Sequence, residues 1–288
     1  MKKIDRILVT TDGSTESEHA FAAMMPVVRS DAPEVTVLYV VEHAERSTEN
    51  RVAKACETLR ETGVNAQLVV RHGHPAEQIV QAGNGMDLVV MATHGRGGLQ
   101  RILMGSVTEA VIRRLDVPIL VTRPGTTVRT WNRLVVALDG SPRSEQILSD
   151  VVPLARRLKA SVELVQSVLP PITMTGLGEI PGMQIADNPM SYLESVKTRL
   201  SSEGVTASAM VLQGRAAAEL LRHVREQGAS LLCMTTHGRT GLARALLGSI
   251  ADEVIRRAPC PVLLRRSVSS GPGSVMQPLP AKALPGLP

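Results

Sequence analysis

The stretch MATHGRGGLQRILMGSVTEAV at 91–111 returns near the far end of the chain as MTTHGRTGLARALLGSIADEV at 234–254. Each copy sets nine residues between one glycine and a Gly-Ser pair: Gly95 to Gly105-Ser106, and Gly238 to Gly248-Ser249. A chain that repeats itself folds into units that repeat, because the same pattern buries the same faces. The echo extends well beyond this motif. RILVTTDGS at 6–14 matches RLVVALDGS at 133–141, and Pro26 and Val35 match Pro153 and Val162, all at a spacing of 127. Gly63-Val64 and Gly73 match Gly204-Val205 and Gly214 at 141, while His94 and Pro118 match His237 and Pro261 at 143. The second copy is thus about fourteen residues longer, and the Pro-, Gly- and Met-rich segment 169–189 reads as the inserted loop.

Within a copy, short apolar runs alternate with helical patterns. Ile7-Leu8-Val9, the run 35–40, the run 67–70, Asp87 to Met91 and Pro118 to Thr122 read as strands. Between them fall a helix carrying Ala20, Met24, Val27 and Val28, which Pro26 bends or ends, and helices at about 48–61, 76–81 and 107–114. Continuous apolar strands alternating with helices imply an α/β fold, a doubly wound parallel sheet covered on both faces. Pro118 and Pro261 cannot donate ladder bonds, so the last strand of each copy reads as an edge. Two such edges in one chain can pair with each other, which makes the molecule an internal pseudo-dimer.

At 288 residues the chain holds two domains of ordinary size. One Trp, one Phe and two Tyr leave the cores aliphatic and give no stacking platform for single-stranded nucleic acid. The net charge of +5 gathers in pairs such as Arg113-Arg114, Arg156-Arg157 and Arg256-Arg257, read as solvated surface and helix ends rather than a nucleic-acid footprint. Cys56, Cys233 and Cys260 show no Cys-x-x-Cys spacing and read as buried free thiols in a reducing compartment. The opening MKKIDRILVTTDGS is a poor signal peptide, and no apolar run is long enough to span a bilayer; the expectation is a cytoplasmic protein.

Ligands of a doubly wound sheet bind beyond the carboxyl ends of its strands. Thr11-Asp12-Gly13-Ser14 and Thr93-His94-Gly95 both fall there. Gly105-Ser106 precedes a helix whose first N–H groups and positive dipole end attract a phosphate. A plainer reading stands beside this one. Ser106 with Glu109, and Ser249 with Asp252, form or nearly form capping boxes that simply start a helix. Asp12 and Asp139 likewise either stabilise a turn or contact a ligand. His72 and His74 read as an exposed loop rather than a metal pair, and His94 and His237 as structural or ligand-lining rather than catalytic. Neither a P-loop nor a strict Gly-x-Gly-x-x-Gly is present.

On these motifs the chain resembles a tandem of universal stress protein domains, covering about 1–124 and 130–267, with 268–288 a disordered tail. ATP-binding members of that family carry Gly-x-x-Gly, nine residues, then Gly-Ser/Thr. Here the first glycine is replaced by Ala92 and Thr235, and the rest is present in both halves. The resemblance implies ATP as ligand, with Mg²⁺ or Mn²⁺ on its phosphates. Thr11 would belong to the binding site, Asp12 would lie near the ribose or the metal, and Val40 would wall the adenine. Met91, Ala92 and His94 would line the sugar and base, with Gly95, Gly105, Ser106, Val107 and Thr108 around the phosphates. Asp139, Met234, Thr235, His237, Gly238, Gly248, Ser249 and Ile250 take those positions in the second half. There Ser167 replaces Val40 and Leu138 replaces Thr11, so the first half ranks as the better site.

The function implied is a stress-response regulator that binds adenine nucleotide, hydrolyses it slowly at most, acts on an unidentified protein partner and leaves a further homodimer open. The alternative is an interaction module of the same fold that binds no nucleotide. An ATP-dependent enzyme of the pyrophosphatase type ranks last, because Thr-Thr-Asp-Gly-Ser is not its Ser-Gly-Gly-x-Asp-Ser loop.

Overall fold

A computed structural model describes residues 3–42, 46–93, 104–126, 130–169, 188–237 and 247–267. The first copy runs β1 (Arg6–Thr11), α1 (Thr15–Asp31), β2 (Glu34–Val41), α2 (Arg46–Glu61), β3 (Ala66–His72), α3 (Pro75–Gly83), β4 (Leu88–Ala92), α4 (Ser106–Arg114) and β5 (Ile119–Thr122). The second runs β6 (Arg133–Ala137), α5 (Pro142–Glu145), α6 (Leu148–Leu158), β7 (Ser161–Val168), α7 (Pro189–Ser202), β8 (Ala207–Gln213), α8 (Ala216–Glu226), β9 (Leu231–Thr235), α9 (Ser249–Arg257) and β10 (Val262–Arg265).

The ten described strands form one sheet in the order β3-β2-β1-β4-β5-β10-β9-β6-β7-β8. Every neighbouring pair is parallel except β5 with β10, which run antiparallel with Leu120 opposite Leu263. The edges expected from Pro118 and Pro261 are therefore the strands that join the halves. Both prolines sit just before their strands and still serve the ladder as acceptors: Val89 N–H donates to the Pro118 carbonyl at 3.0 Å and Leu232 N–H to that of Pro261 at 3.1 Å.

Alternation along each strand sorts the core into two layers. Ile7 and Val9 pack with Ala20, Met24 and Val27 of α1 and Val52 of α2 on one face. Leu8 packs with Ile79 of α3 and Val111 and Ile112 of α4 on the other. The layers are aliphatic, as the scarcity of aromatic residues requires. Phe21, Tyr39 and Trp131 are the aromatic side chains among the described core residues.

Pro26 does not end α1, which continues to Asp31 and closes on Ala32 in the left-handed conformation, φ 46°. The second copy differs: the chain turns at Gln146 and Ile147 between α5 and α6. Most of the insertion expected at 169–189, and the tail 268–288, lie outside the described residues.

Polar contacts hold the seam between halves. The Asp31 carboxylate, buried at the end of α1, accepts from Ile4 N–H at 3.2 Å and Ser30 Oγ at 2.9 Å and pairs with Arg157 of α6. Arg123, after β5, donates to the Arg256 carbonyl near the end of α9. Arg266, after β10, donates to the Arg114 carbonyl at the end of α4 at 3.3 Å and pairs with Asp116. Each half thus places a cation on carbonyls at the negative end of the other's helix.

Candidate functional site

In each half the chain winds outward from the first strand and then returns to its other side. That puts a crevice between β1 and β4, and another between β6 and β9, at the carboxyl ends. The loop after β1 turns on Gly13, whose φ of 75° is open to glycine at little strain. Asp12 Oδ1 accepts from Ser14 N–H at 3.0 Å and Ser14 Oγ at 2.6 Å. Ser14 in turn caps α1, its Oγ accepting from Ser17 N–H at 3.2 Å. Asp139, Gly140 and Ser141 reproduce the turn, with the same 3.0 and 2.6 Å contacts and a φ of 83°. The turn-stabilising role of both aspartates is therefore seen directly.

Thr11 accepts from Gly13 N–H at 3.0 Å and shares a hydrogen bond with Ser17 Oγ at 2.7 Å, so its hydroxyl braces the loop from beneath. Leu138 stands in its place, buried, and the brace is absent.

The start of α4 corrects one expectation. Its N-cap is Gly105, not Ser106, and no side chain caps it; α9 likewise starts from Gly248. Ser106 and Ser249 are the first helical residues and are exposed. Glu109 and Asp252 pair forward with Arg113 and Arg256, an i,i+4 helix contact, instead of closing a capping box. The reason for glycine is a close approach. Gly105 N–H donates to the Thr93 carbonyl at 2.9 Å, and a Cβ at 105 would lie 3.1 Å from that oxygen. At Gly248 the same Cβ would lie 2.7 Å from the Thr236 carbonyl. Alanine at 248 is expected to lower unfolding stability by about 2 kcal/mol, and alanine at 105 by about half that, as overpacking against backbone does. Urea titration of the two variants checks the order.

The remaining residues fall around this crevice with differing exposure. Ala92 and Val40 are half-buried at the ends of β4 and β2. Met91 and Met234 are buried in the core layer and back the site rather than open onto it. Val107 is half-buried, Ile250 is 43% exposed, and Thr108 Oγ donates to the Ala92 carbonyl at 3.1 Å, tying α4 to β4. In the second half Thr235 is buried with its hydroxyl on the His237 carbonyl at 2.9 Å, and Thr236 Oγ lies 3.1 Å from His237 Nδ1. Ser167 directs its hydroxyl to the Gly214 carbonyl at 3.0 Å, so its polarity is answered within the protein. His94, Gly95 and Gly238 lie outside the described residues.

Sequence reading missed Tyr192. Its phenol, held by α7 beside Glu145, Ser144 and Asp139, has its pKa raised, first by burial and then by the Glu145 charge. Its rarity in this chain was the available signal; the matching position in the first half is Arg51, exposed. Burial also pushes the Cys233 thiol up and that of Cys260 to about 12, so neither is poised as a nucleophile. His72 and His74 are exposed, and among the described residues no group of three or more His, Cys, Asp or Glu is arranged for a metal ion. No described helix is long and apolar enough to cross a membrane.

The model of the Universal stress protein family matches residues 3–123 and again 130–266. A universal stress protein of Mycobacterium tuberculosis is 28% identical over 92% of this chain and 98% of its own length. One from Bacillus subtilis, 29% identical, is matched over 99% of its length by 47% of this chain. Among solved structures, a universal stress protein from Archaeoglobus fulgidus superposes with a TM-score of 0.69 over 92% of this chain and 97% of that one, at 19% identity.

Proposed function

Because this chain belongs to the universal stress protein family, we propose that it is a cytoplasmic regulator that binds ATP at the crevice of its first half, with slow hydrolysis at most. The observation that carries this reading is the start of α4. A helix begins at the strand switch point from a glycine N-cap, which brings no side chain of its own to the first N–H groups, and an exposed serine stands at its first position. Those N–H groups and the dipole behind them suit a phosphate. The tight cradle at Gly105 fits the same use, since a side chain there would crowd the Thr93 carbonyl and the mouth of the site. Thr11, Asp12, Val40, Ala92, Ser106 and Thr108 would surround the nucleotide, with Met91 behind them and His94 and Gly95 as the resemblance implies. Asp12 would face the metal ion that accompanies the phosphates, which neutralises charge there.

The second half keeps Asp139, Met234, His237, Gly248, Ser249 and Ile250, with Gly238 in the motif. It lacks the Thr11 brace, carries Thr235 and Ser167, and sets Tyr192 beside Asp139 and Glu145, the latter matched by Glu18 in the first half. The missing hydroxyl at 138 and the bulkier Thr235 in place of Ala92 make this half the poorer binder. A second reading, an interaction module without nucleotide, is favoured by one observation: the approach of Thr93 and Thr236 explains both glycines without any ligand.

Calorimetric titration with Mg²⁺ and ATP separates the two, using Ser106→Glu and Ser249→Glu. Glutamate at an exposed first helical position suits the helix dipole and leaves folding intact, yet repels phosphate. Wild type is expected to bind about one ATP, Ser106→Glu to lose at least tenfold in affinity (about 1.4 kcal/mol) and Ser249→Glu to match wild type. Stoichiometry near two would show both halves competent. An absence of binding to nucleotide-free protein would leave the interaction module.

A further inference from the structure

The two ends of the ten-stranded sheet are not alike. β3 and β8 occupy equivalent places, Ala66 beside Val35 and Ala207 beside Val162. Exposed edges invite pairing with other strands, and charge is the usual guard. β3 is guarded: Arg60 donates from Nε to the Ala66 carbonyl at 2.7 Å, and the strand itself carries Arg71 and His72. At the matching positions the other end has Ser201, Leu212 and Gln213. β8, ASAMVLQ, has seven residues with no charge and no proline. Among the described residues no strand pairs with its outer edge. Its face away from α7 exposes Ser208 and Met210, the latter at 41%.

We propose that β8 is the docking edge for a second copy of this chain, the two β8 strands pairing antiparallel about a two-fold axis at Met210. Met210 is the middle residue of the strand, so a two-fold placed there matches the whole of Ala207–Gln213 with itself. The flanks select this direction. Exposed Glu203 precedes the strand and exposed Arg215 follows it. Antiparallel pairing brings Glu203 of one copy to the same end as Arg215 of the other, at both ends, whereas parallel pairing would set like against like. Antiparallel joining of strands is also how this chain already unites its halves, at β5 and β10.

Sedimentation velocity of the full chain across a concentration series tests the proposal. Wild type is expected to associate as a dimer, and Met210→Lys, which sets two cations face to face on the axis, to weaken association at least tenfold. Val70→Lys on the guarded β3 is expected to leave it unchanged. Glu203→Arg and Arg215→Glu are each expected to weaken the dimer and, together in one chain, to restore it; these exposed changes serve even if Met210→Lys misfolds. A wild type that stays monomeric at its highest soluble concentration overturns the proposal. So does equal loss from Val70→Lys, or a double charge exchange that fails to recover.

Discussion

Replacing His223 by alanine is expected to cost the fold about 3 kcal/mol, and adding Glu163→Thr to that variant is expected to return most of it. Glu163 projects from β7, between β6 and β8, into the layer beneath α8. His223 Nε2 lies 3.2 Å from Glu163 Oε1, with the two side chains only 6% and 11% exposed. The approach lacks hydrogen-bond alignment, and Glu163 Oε2 is buried with no hydrogen-bond partner among the described residues. A pair so placed contributes little net stability, because desolvation offsets attraction. Losing one member, however, strands the other among Val165, Leu220 and Val224. The first half shows the benign alternative. Thr36 and Ala82 stand at the matching positions, and Thr36 accepts from Gln67 Nε2 at 3.2 Å. A double-mutant cycle in urea therefore reads the coupling directly. A His223→Ala variant as stable as wild type would show that the imidazole does not offset the buried carboxylate.

Asp31→Ala is expected to cost a similar amount, about 3 kcal/mol, and to do so at the seam. The carboxylate is 1% exposed at its side chain and answers three donors: Ile4 N–H, Ser30 Oγ and the Arg157 guanidinium from the other half. An acid in the last turn of a helix opposes the dipole, so its presence there reflects these partners rather than helix stability. Arg157, Ile4 and Trp131 line one small cleft where the halves meet. Trp131 is the chain's single tryptophan and 2% exposed, which makes its fluorescence a report on the seam alone. In wild type, fluorescence and far-ultraviolet circular dichroism should change together as urea rises. In Asp31→Ala the fluorescence should shift first. Coincident curves in the variant would mean that β5 and β10 hold the halves together without this contact.

Architecture was legible because it is written in patterns that repeat. The strands around Ile7, Val35 and Leu88 announce themselves as apolar runs, and Pro118 and Pro261 marked the strands that pair. What escaped was decided by atoms distant in sequence. Ser106 and Glu109 carry the spelling of a capping box, yet the cap falls one residue earlier, at Gly105, whose N–H donates to the Thr93 carbonyl. Pro26 reads as a breaker, but buried in the α1 layer it leaves the helix running to Asp31. Asp31 and Arg157, 126 residues apart, share no local pattern. Tyr192 meets Glu145 only because α7 folds back beside α5. The strand-end crevice was readable from Asp12-Gly13-Ser14 and Gly105-Ser106; which hydroxyls the protein already occupies, as with Thr11 and Ser167, was not.

The antiparallel junction of β5 and β10 joins two copies that share a backbone. Dilution cannot separate them, since each half meets the other at a concentration fixed by the chain rather than by the solution. Nor must the contact be written twice. Two identical chains would carry an Asp31–Arg157 pair on both sides of their axis or on neither. Here the opposite side holds Ser30 and Leu158 at the corresponding positions. Fusion thus releases each half from mirroring the other, and the second crevice can take a tyrosine at 192 where the first half has Arg51.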